Sequence, residues 1–363
     1  MSADAPPIAL GFRLRARSFL WSCIATPVNA VLSLGIVLAL LYALPSLIAW
    51  ALVDARWSGP AVACHDARGA CWPFIEQRWP LILYGGYPES ERWRVDILFA
   101  LVLVAGALLL SRRVRRKGLI GLLLIVAAPP LAALLLLGGF AGLAYVPAAR
   151  WGGLMLTVAL GGAALAGSFP VGLALALCRR SRLPVIRGLA VGLIEFLRGV
   201  PLVPLLFLAM TVLPLLLPPG TDPPPLLRAV VAFILFNGAA MAEVFRGGLQ
   251  AIPKGQFEAA RGLGLSPAKV LALVILPQAI AIVTPGLLNV AIAIVKETTV
   301  ILIIGLYDFF NEIVAGLADP QWLQGGGAVL DTGYFFAGLV YWAVCFGLSR
   351  VSARLELAKE RRA

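Results

Sequence analysis

"LMLTVALGGAALAGSFPVGLALALCRRSRLPVIR", Leu154–Arg187, carries no charged side chain from Leu154 to Cys178 and then presents Arg179, Arg180, Arg182 and Arg187. A helix needs roughly 20 apolar residues to cross a hydrocarbon core of about 30 Å. Lipid leaves only helices or closed barrels as solutions for the backbone, and a run this long and unbroken is no barrel strand. The pattern recurs on both sides. Runs at roughly 28–52, 95–111, 118–146, 151–178, 188–217, 227–245, 274–296 and 333–350 predict an all-α polytopic membrane protein of about eight transmembrane helices. Composition agrees: 61% of the 363 residues are hydrophobic and 13% charged, about half the charged share of a soluble globule.

The net charge of +12 is placed for a membrane and not for nucleic acid. Arg13, Arg15 and Arg17 precede the first run; Arg112, Arg113, Arg115, Arg116 and Lys117 follow the second; the quoted arginines follow the fourth; Arg350, Arg354, Lys359, Arg361 and Arg362 close the chain. The intervening loops are balanced or charge-poor. The positive-inside rule therefore predicts both termini in the cytoplasm, and an even number of spans, which puts them on one side, agrees. The first run extends past Tyr42 without a small-residue cleavage site, so it reads as a retained helix and not a signal peptide.

A division is expected near residue 146. Residues 1–146 read as an N-terminal extension with three spans and an extracytoplasmic loop at 53–94, residues 147–355 as a five-helix core, and 356–363 as a cytoplasmic tail. The loop, rich in Trp, Pro and Gly, lacks the apolar mass for a sizeable core and is expected against the membrane surface. Cys64 and Cys71 lie in it, where an oxidising compartment permits a disulfide; two free thiols are the alternative. His65 beside Cys64 makes a poor zinc site for want of a fourth ligand. Cys23, Cys178 and Cys345 fall in or beside apolar runs and read as packed thiols. The tract 213–228 holds five prolines from Pro218 to Pro225, an external turn.

"KGQFEAARGLGLSPAKVLALVILPQ", Lys254–Gln278, is the polar exception among the core runs. Pro253 suits a first helical turn, and Phe257, Ala260, Gly264, Ala268 and Leu271 recur at spacings of three or four. Gly262 and Gly264 can supply a left-handed helix ending, and Ser266-Pro267 reads as N-cap and first residue of a second helix. Two short helices meeting at a glycine joint, with a small-residue face, suit a partner lying close.

Glu258-Ala259-Ala260, Gly264 and Leu276-Pro277, with Val274 where isoleucine is usual, resemble the EAA loop of permease subunits of bacterial ABC importers. The resemblance spans about 150–355. "FLRGVPLVPLLF" (196–207), with Val200 for the usual Thr, "MAEVFRGGLQAIPKGQFEAA" (241–260) and "VKETTVILIIGLYDF" (295–309) are similar to the polar amino-acid branch, and in particular to the M-type subunit of general L-amino-acid systems in the histidine/glutamine group. The three extra N-terminal helices fit that subunit. Ala240, where many relatives carry Tyr, departs from it and puts selectivity in doubt. The resemblance implies that the loop, about 246–277, docks on a cytoplasmic ATPase dimer through Glu258, Ala259, Ala260, Gly264, Leu276 and Pro277. It also implies a second homologous permease subunit, a periplasmic amino-acid-binding protein and residence in the bacterial inner membrane.

Ionisable groups at membrane depth are functional candidates because burying them is costly. Glu243 can hold a solute ammonium and Lys296 its carboxylate, with Asn237, Glu297, Thr298 and Thr299 as hydrogen-bond partners and Thr157 and Asn289 as further candidates. The alternative is that Lys296-Glu297 marks a helix end. Arg198 and Arg246 read as structural, Arg198 pairing with Glu195 at i, i+3. The sequence has no G-x-x-x-x-G-K-[ST] loop and no acidic metal cluster, so no ATPase site, metal or cofactor of its own is expected; ATP would be used by the partner. A secondary transporter would need inverted repeats with matching broken helices, and Pro285-Gly286 has no evident counterpart. With one His, an embedded enzyme has little to work with.

Overall fold

The structure, a computed structural model, describes residues 21, 23–111, 113–114, 117–218 and 220–360, with side chains excepted at 110, 117, 118 and 354–360. Arg13, Arg15, Arg17, Arg112, Arg115, Arg116, Arg361 and Arg362 lie outside it, as does the end of the 356–363 tail. Among the described residues every named element is helical. The chain folds as two compact units, 1–76 with 320–332, and 77–319 with 333–363. The second and third expected spans lie in the second unit.

In the first unit, Thr26 opens α1 (Pro27–Ile48) by accepting the Asn29 N–H at 3.1 Å, one of the donors a helix start leaves orphaned. None of the residues of α1 is buried within the chain. It runs into a π-helical turn at Ala49–Val53. Cys64 and Cys71 are joined by a disulfide with Cα atoms 5.8 Å apart, and the Cys71 N–H donates to Thr332 Oγ1 at 2.7 Å. The 53–94 stretch holds more structure than its composition suggests: α2 (Trp72–Tyr84) starts there, and Phe74 meets Trp322 edge-on at 5.3 Å.

The second unit contains α3 (Arg92–Leu110), α4 (Lys117–Leu137), α5 (Gly153–Arg179), α6 (Pro184–Gly199), α7 (Leu202–Thr211), α8 (Leu213–Leu216), α9 (Pro225–Gln250), α10 (Lys254–Gly262), α11 (Pro267–Lys269), α12 (Leu276–Glu297) and α13 (Phe309–Leu317). After α14 (Pro320–Leu323), α15 (Gly326–Glu360) ends the described chain. Of the eight expected spans, six are matched by long apolar helices. A seventh, 188–217, is broken into α6 and α7 with a bend of 109°. Pro201 has no N–H and forces Val200 into extended backbone, ψ 129°, so one straight helix cannot form there. The eighth, α3, is helical but opens with Arg92, Arg94 and Asp96. The run expected to reach 146 stops at Leu137, because Gly138 and Gly139 take left-handed φ of 65° and 84°.

The core is built on α5 against α9. Gly172 lies so close to α9 that a Cβ there would stand 2.6 Å from Met241 Cβ and 2.8 Å from the Gly238 carbonyl. Small residues at such crossings let backbones approach in lipid, where packing replaces the hydrophobic drive. Phe169 and Phe245 meet edge-on at 5.2 Å beside this crossing, and Met155, Leu160, Phe233 and Ile294 are buried around it.

Candidate coupling loop and solute pathway

Pro253 sits one place ahead of α10 in extended backbone, ψ 140°, and the helix begins at Lys254. At its other end the Gly264 N–H donates to the Arg261 carbonyl at 2.9 Å and the Leu265 N–H to the Ala260 carbonyl at 3.4 Å. With Gly264 at φ +75°, this is the Schellman pattern, in which a left-handed residue lets two N–H groups turn back on the last carbonyls. Gly262 remains the last helical residue, so of the two expected glycines only Gly264 makes the joint. Ser266 occupies the N-cap position of α11 with Pro267 first, as expected; its hydroxyl makes no capping bond, and its carbonyl takes the Val270 N–H at 2.8 Å.

The loop has its own small core, Leu249, Ile252, Ala260, Val270, Ile275 and Ala279, with Phe257, Leu265, Leu271, Val274 and Leu276 packed on it. The expected small-residue face therefore divides. Ala260 points into this core, 3% exposed, while Glu258, Ala259, Gly264, Ala268 and Pro277 are exposed. Leu263 is 82% exposed beside the joint. Gln278 fixes α10 to α12 by donating to Gln256 Oε1 at 3.1 Å.

Glu243 lies on α9 where α5 and α6 converge. Its Oε1 is 2.5 Å from Arg179 Nη1 and 3.9 Å from Arg198, and its Oε2 is 2.7 Å from Arg246. Arg179 also reaches Glu195 at 3.5 Å. The pair expected between Glu195 and Arg198 is thus exchanged across helices: the turn after α5 brings Arg179 to Glu195, and Arg198 reaches toward Glu243. Arg246 also donates to Gln250 Oε1 at 3.1 Å, and Arg180 to the Leu249 carbonyl at 3.5 Å.

Farther along α9, buried Asn237 donates Nδ2 to Glu297 Oε2 of α12 at 2.9 Å and to the Phe233 carbonyl at 3.2 Å. Glu297 is half-buried and its neighbour Lys296 is exposed. Thr157 and Thr298 are buried, Thr157 holding a backbone N–H and Thr298 a capping carboxylate. Thr157 Oγ1 accepts the Phe309 N–H at 3.0 Å, and Thr298 Oγ1 donates to Asp308 Oδ2 at 3.0 Å.

Asp308 caps α13, accepting from the Asn311 N–H at 3.0 Å and its Nδ2 at 2.7 Å, and from the Tyr341 hydroxyl at 3.2 Å. Burial pushes its carboxyl up, against those hydrogen bonds. One turn on, burial pushes Glu312 up to about 7, with Arg78 pulling it down and Asp308 adding to the rise. Arg78 itself pairs with Asp319 at 2.9 Å. The sequence reading missed Arg179, Asp308, Glu312 and Arg78. Asp308 carried a usable signal, an Asp directly before "FFNEIVAGL"; the others depend on which helices meet.

Residues 168–360 match the family described as the binding-protein-dependent transport system inner membrane component. The chain is 42% identical over 328 residues to the inner membrane amino-acid ABC transporter permease protein YhdY of Escherichia coli K12, covering 90% of this chain and 88% of that protein. It is 33% identical over 367 residues to the glutamate/glutamine/aspartate/asparagine transport system permease protein BztC of Rhodobacter capsulatus, covering 86% and 82%. Among solved structures, an amino acid ABC transporter crystallised with histidines is 29% identical at a TM-score of 0.48, covering 57% of this chain and 91% of that one. Long apolar helices, the family match and the sequence relatives agree: the chain is a multi-pass inner-membrane protein belonging to the binding-protein-dependent transport system inner membrane component family.

Proposed function

We propose that this chain is the membrane-spanning permease subunit of an ATP-driven importer of L-amino acids. The carrying observation is the 253–278 loop. It is closed on itself by the Gly264 turn and packed on its own core, yet it presents Glu258, Ala259 and Leu263 outward as a preformed docking surface. The relatives' names, amino-acid transport permeases at 42% and 33% identity, support the solute class.

In this reading both termini and the loop are cytoplasmic. The loop docks on an ATPase dimer through Glu258, Ala259, Gly264, Leu276 and Pro277, while Ala260 shapes the docking helix from beneath. A second homologous permease completes the pathway, and an extracytoplasmic binding protein delivers the solute. The chain has no phosphate-binding loop and hydrolyses nothing, so transport energy enters through docking. Asn237 and Glu297, with Lys296 nearby, form the polar point of the pathway: the carboxylate takes a solute ammonium and the lysine a solute carboxylate. Thr157 and Thr298 hold the segment that frames it.

The test is reconstitution of this chain with its ATPase, partner permease and binding protein in liposomes. Amino-acid uptake that needs both ATP and this chain is expected. Uptake driven by an ion gradient without ATP would overturn the reading.

A further inference from the structure

We infer that Glu243 is a positioning residue that makes α5 and α6 follow the coupling loop; this rests on the importer reading above. Both carboxylate oxygens are taken by guanidinium groups, Arg179 at 2.5 Å on one and Arg246 at 2.7 Å on the other. That carboxylate is already neutralised, which leaves a solute ammonium little to gain by approaching it. The arginines are held in turn. Arg246 grips Gln250, the last residue of α9, while Arg180, beside Arg179, reaches the Leu249 carbonyl at 3.5 Å. Leu249 and Ile252 belong to the loop's core with Ala260 and Val270. A displacement of the loop core therefore moves Leu249 and Gln250, which pull on Arg180 and Arg246. Glu243 passes the pull to Arg179 at the end of α5, and Arg179 passes it to Glu195 of α6 at 3.5 Å.

These groups are partly exposed, so the ion pairs add little to stability. Their value is directional. A carboxylate held from two sides fixes the relative positions of three helices in a way that apolar contacts, free to slide, do not. Neutralising Glu243 also leaves Arg179, Arg198 and Arg246 without the carboxylate they share, so the helices lose their common anchor and the guanidinium groups repel.

The experiment uses the complete reconstituted transporter, with rates normalised to assembled complex so that lower assembly does not imitate the effect. Glu243→Gln is expected to lower the amount of amino acid moved per ATP hydrolysed by about five-fold, leaving the half-saturating amino-acid concentration within about two-fold of its starting value. Glu243→Asp, which keeps a carboxylate between the guanidinium groups of Arg179 and Arg246, is expected to retain most of the ratio that Glu243→Gln loses. An unchanged ratio in Glu243→Gln overturns the inference. So does a raised half-saturating concentration at full ratio, which makes Glu243 a solute contact, or a Glu243→Asp ratio no better than that of Glu243→Gln. A wild-type complex whose uptake ignores ATP instead overturns the importer reading beneath it.

Discussion

Asn237 of α9 donates to Glu297 of α12 at 2.9 Å, a buried amide holding a half-buried carboxylate between the two helices that flank the loop. A polar pair at that depth is costly unless it is used or fully satisfied. Glu297→Gln in the reconstituted system is expected to raise the half-saturating amino-acid concentration by about ten-fold, with the amount moved per ATP retained. Asn237→Leu, which removes the donor and leaves the carboxylate unpaired, is expected to act in the same direction and to destabilise the chain by about 1–3 kcal/mol, read as a lowered melting temperature in detergent.

Gly264 has open space around the position of a missing Cβ but a φ of +75°, so any penalty there is conformational and not steric contact. Gly264→Ala should cost about 1–2 kcal/mol in the loop, and Gly264→Val more, since β-branched residues tolerate that region least. Less ATPase should then be retained on affinity-purified complex, in the order Gly, Ala, Val. Gly262→Ala, at a helical position with equal space, is the control that should keep it.

Glu312 titrates near pH 7 in the folded chain against an ordinary value of 4.5. A carboxyl whose folded value is raised contributes stability that is fully present below the ordinary value and is lost as pH rises through the folded one. The melting temperature of the purified chain should therefore fall as pH rises from the ordinary value of 4.5 through about 7, and level off above that. Glu312→Gln should flatten that slope, and Arg78→Gln, which removes the cation drawing the carboxyl down, should move the fall to higher pH.

The disulfide between Cys64 and Cys71 closes a loop with a sequence separation of 7. Opening so short a loop should cost about 2 kcal/mol. Reductant, or Cys71→Ala, is expected to lower the first thermal transition, while Cys178→Ala, a change at a free thiol, leaves it unchanged.

What could be read from residues alone was whatever is local. Gly264, Ser266-Pro267 and the apolar runs act through backbone preference and length, so the glycine joint, the all-α class and most spans were visible without coordinates. The break at Pro201 was also written locally but was overridden by the hydropathy around it, which reads the same for one straight helix and two bent ones. The charge network was not legible. Arg179 looked like a topology signal beside Arg180, because its partner Glu243 belongs to a helix far along the chain, and Glu195 offered a nearer partner in Arg198. Thr157 and Thr298 were singled out as polar groups in apolar runs, which is correct, but their hydrogen bonds go to the backbone and cap of a segment the periodicity does not connect to them.

The helix α1, which buries no side chain within its own chain, carries one more consequence. Within this chain no buried contact ties its sequence to a particular shape, so length and greasiness are all that the chain's own fold asks of it. Any apolar helix of the same span, grafted between Thr26 and the turn at Ala49, should leave the rest of the protein folding as before, whereas shuffling α9 letter by letter would not.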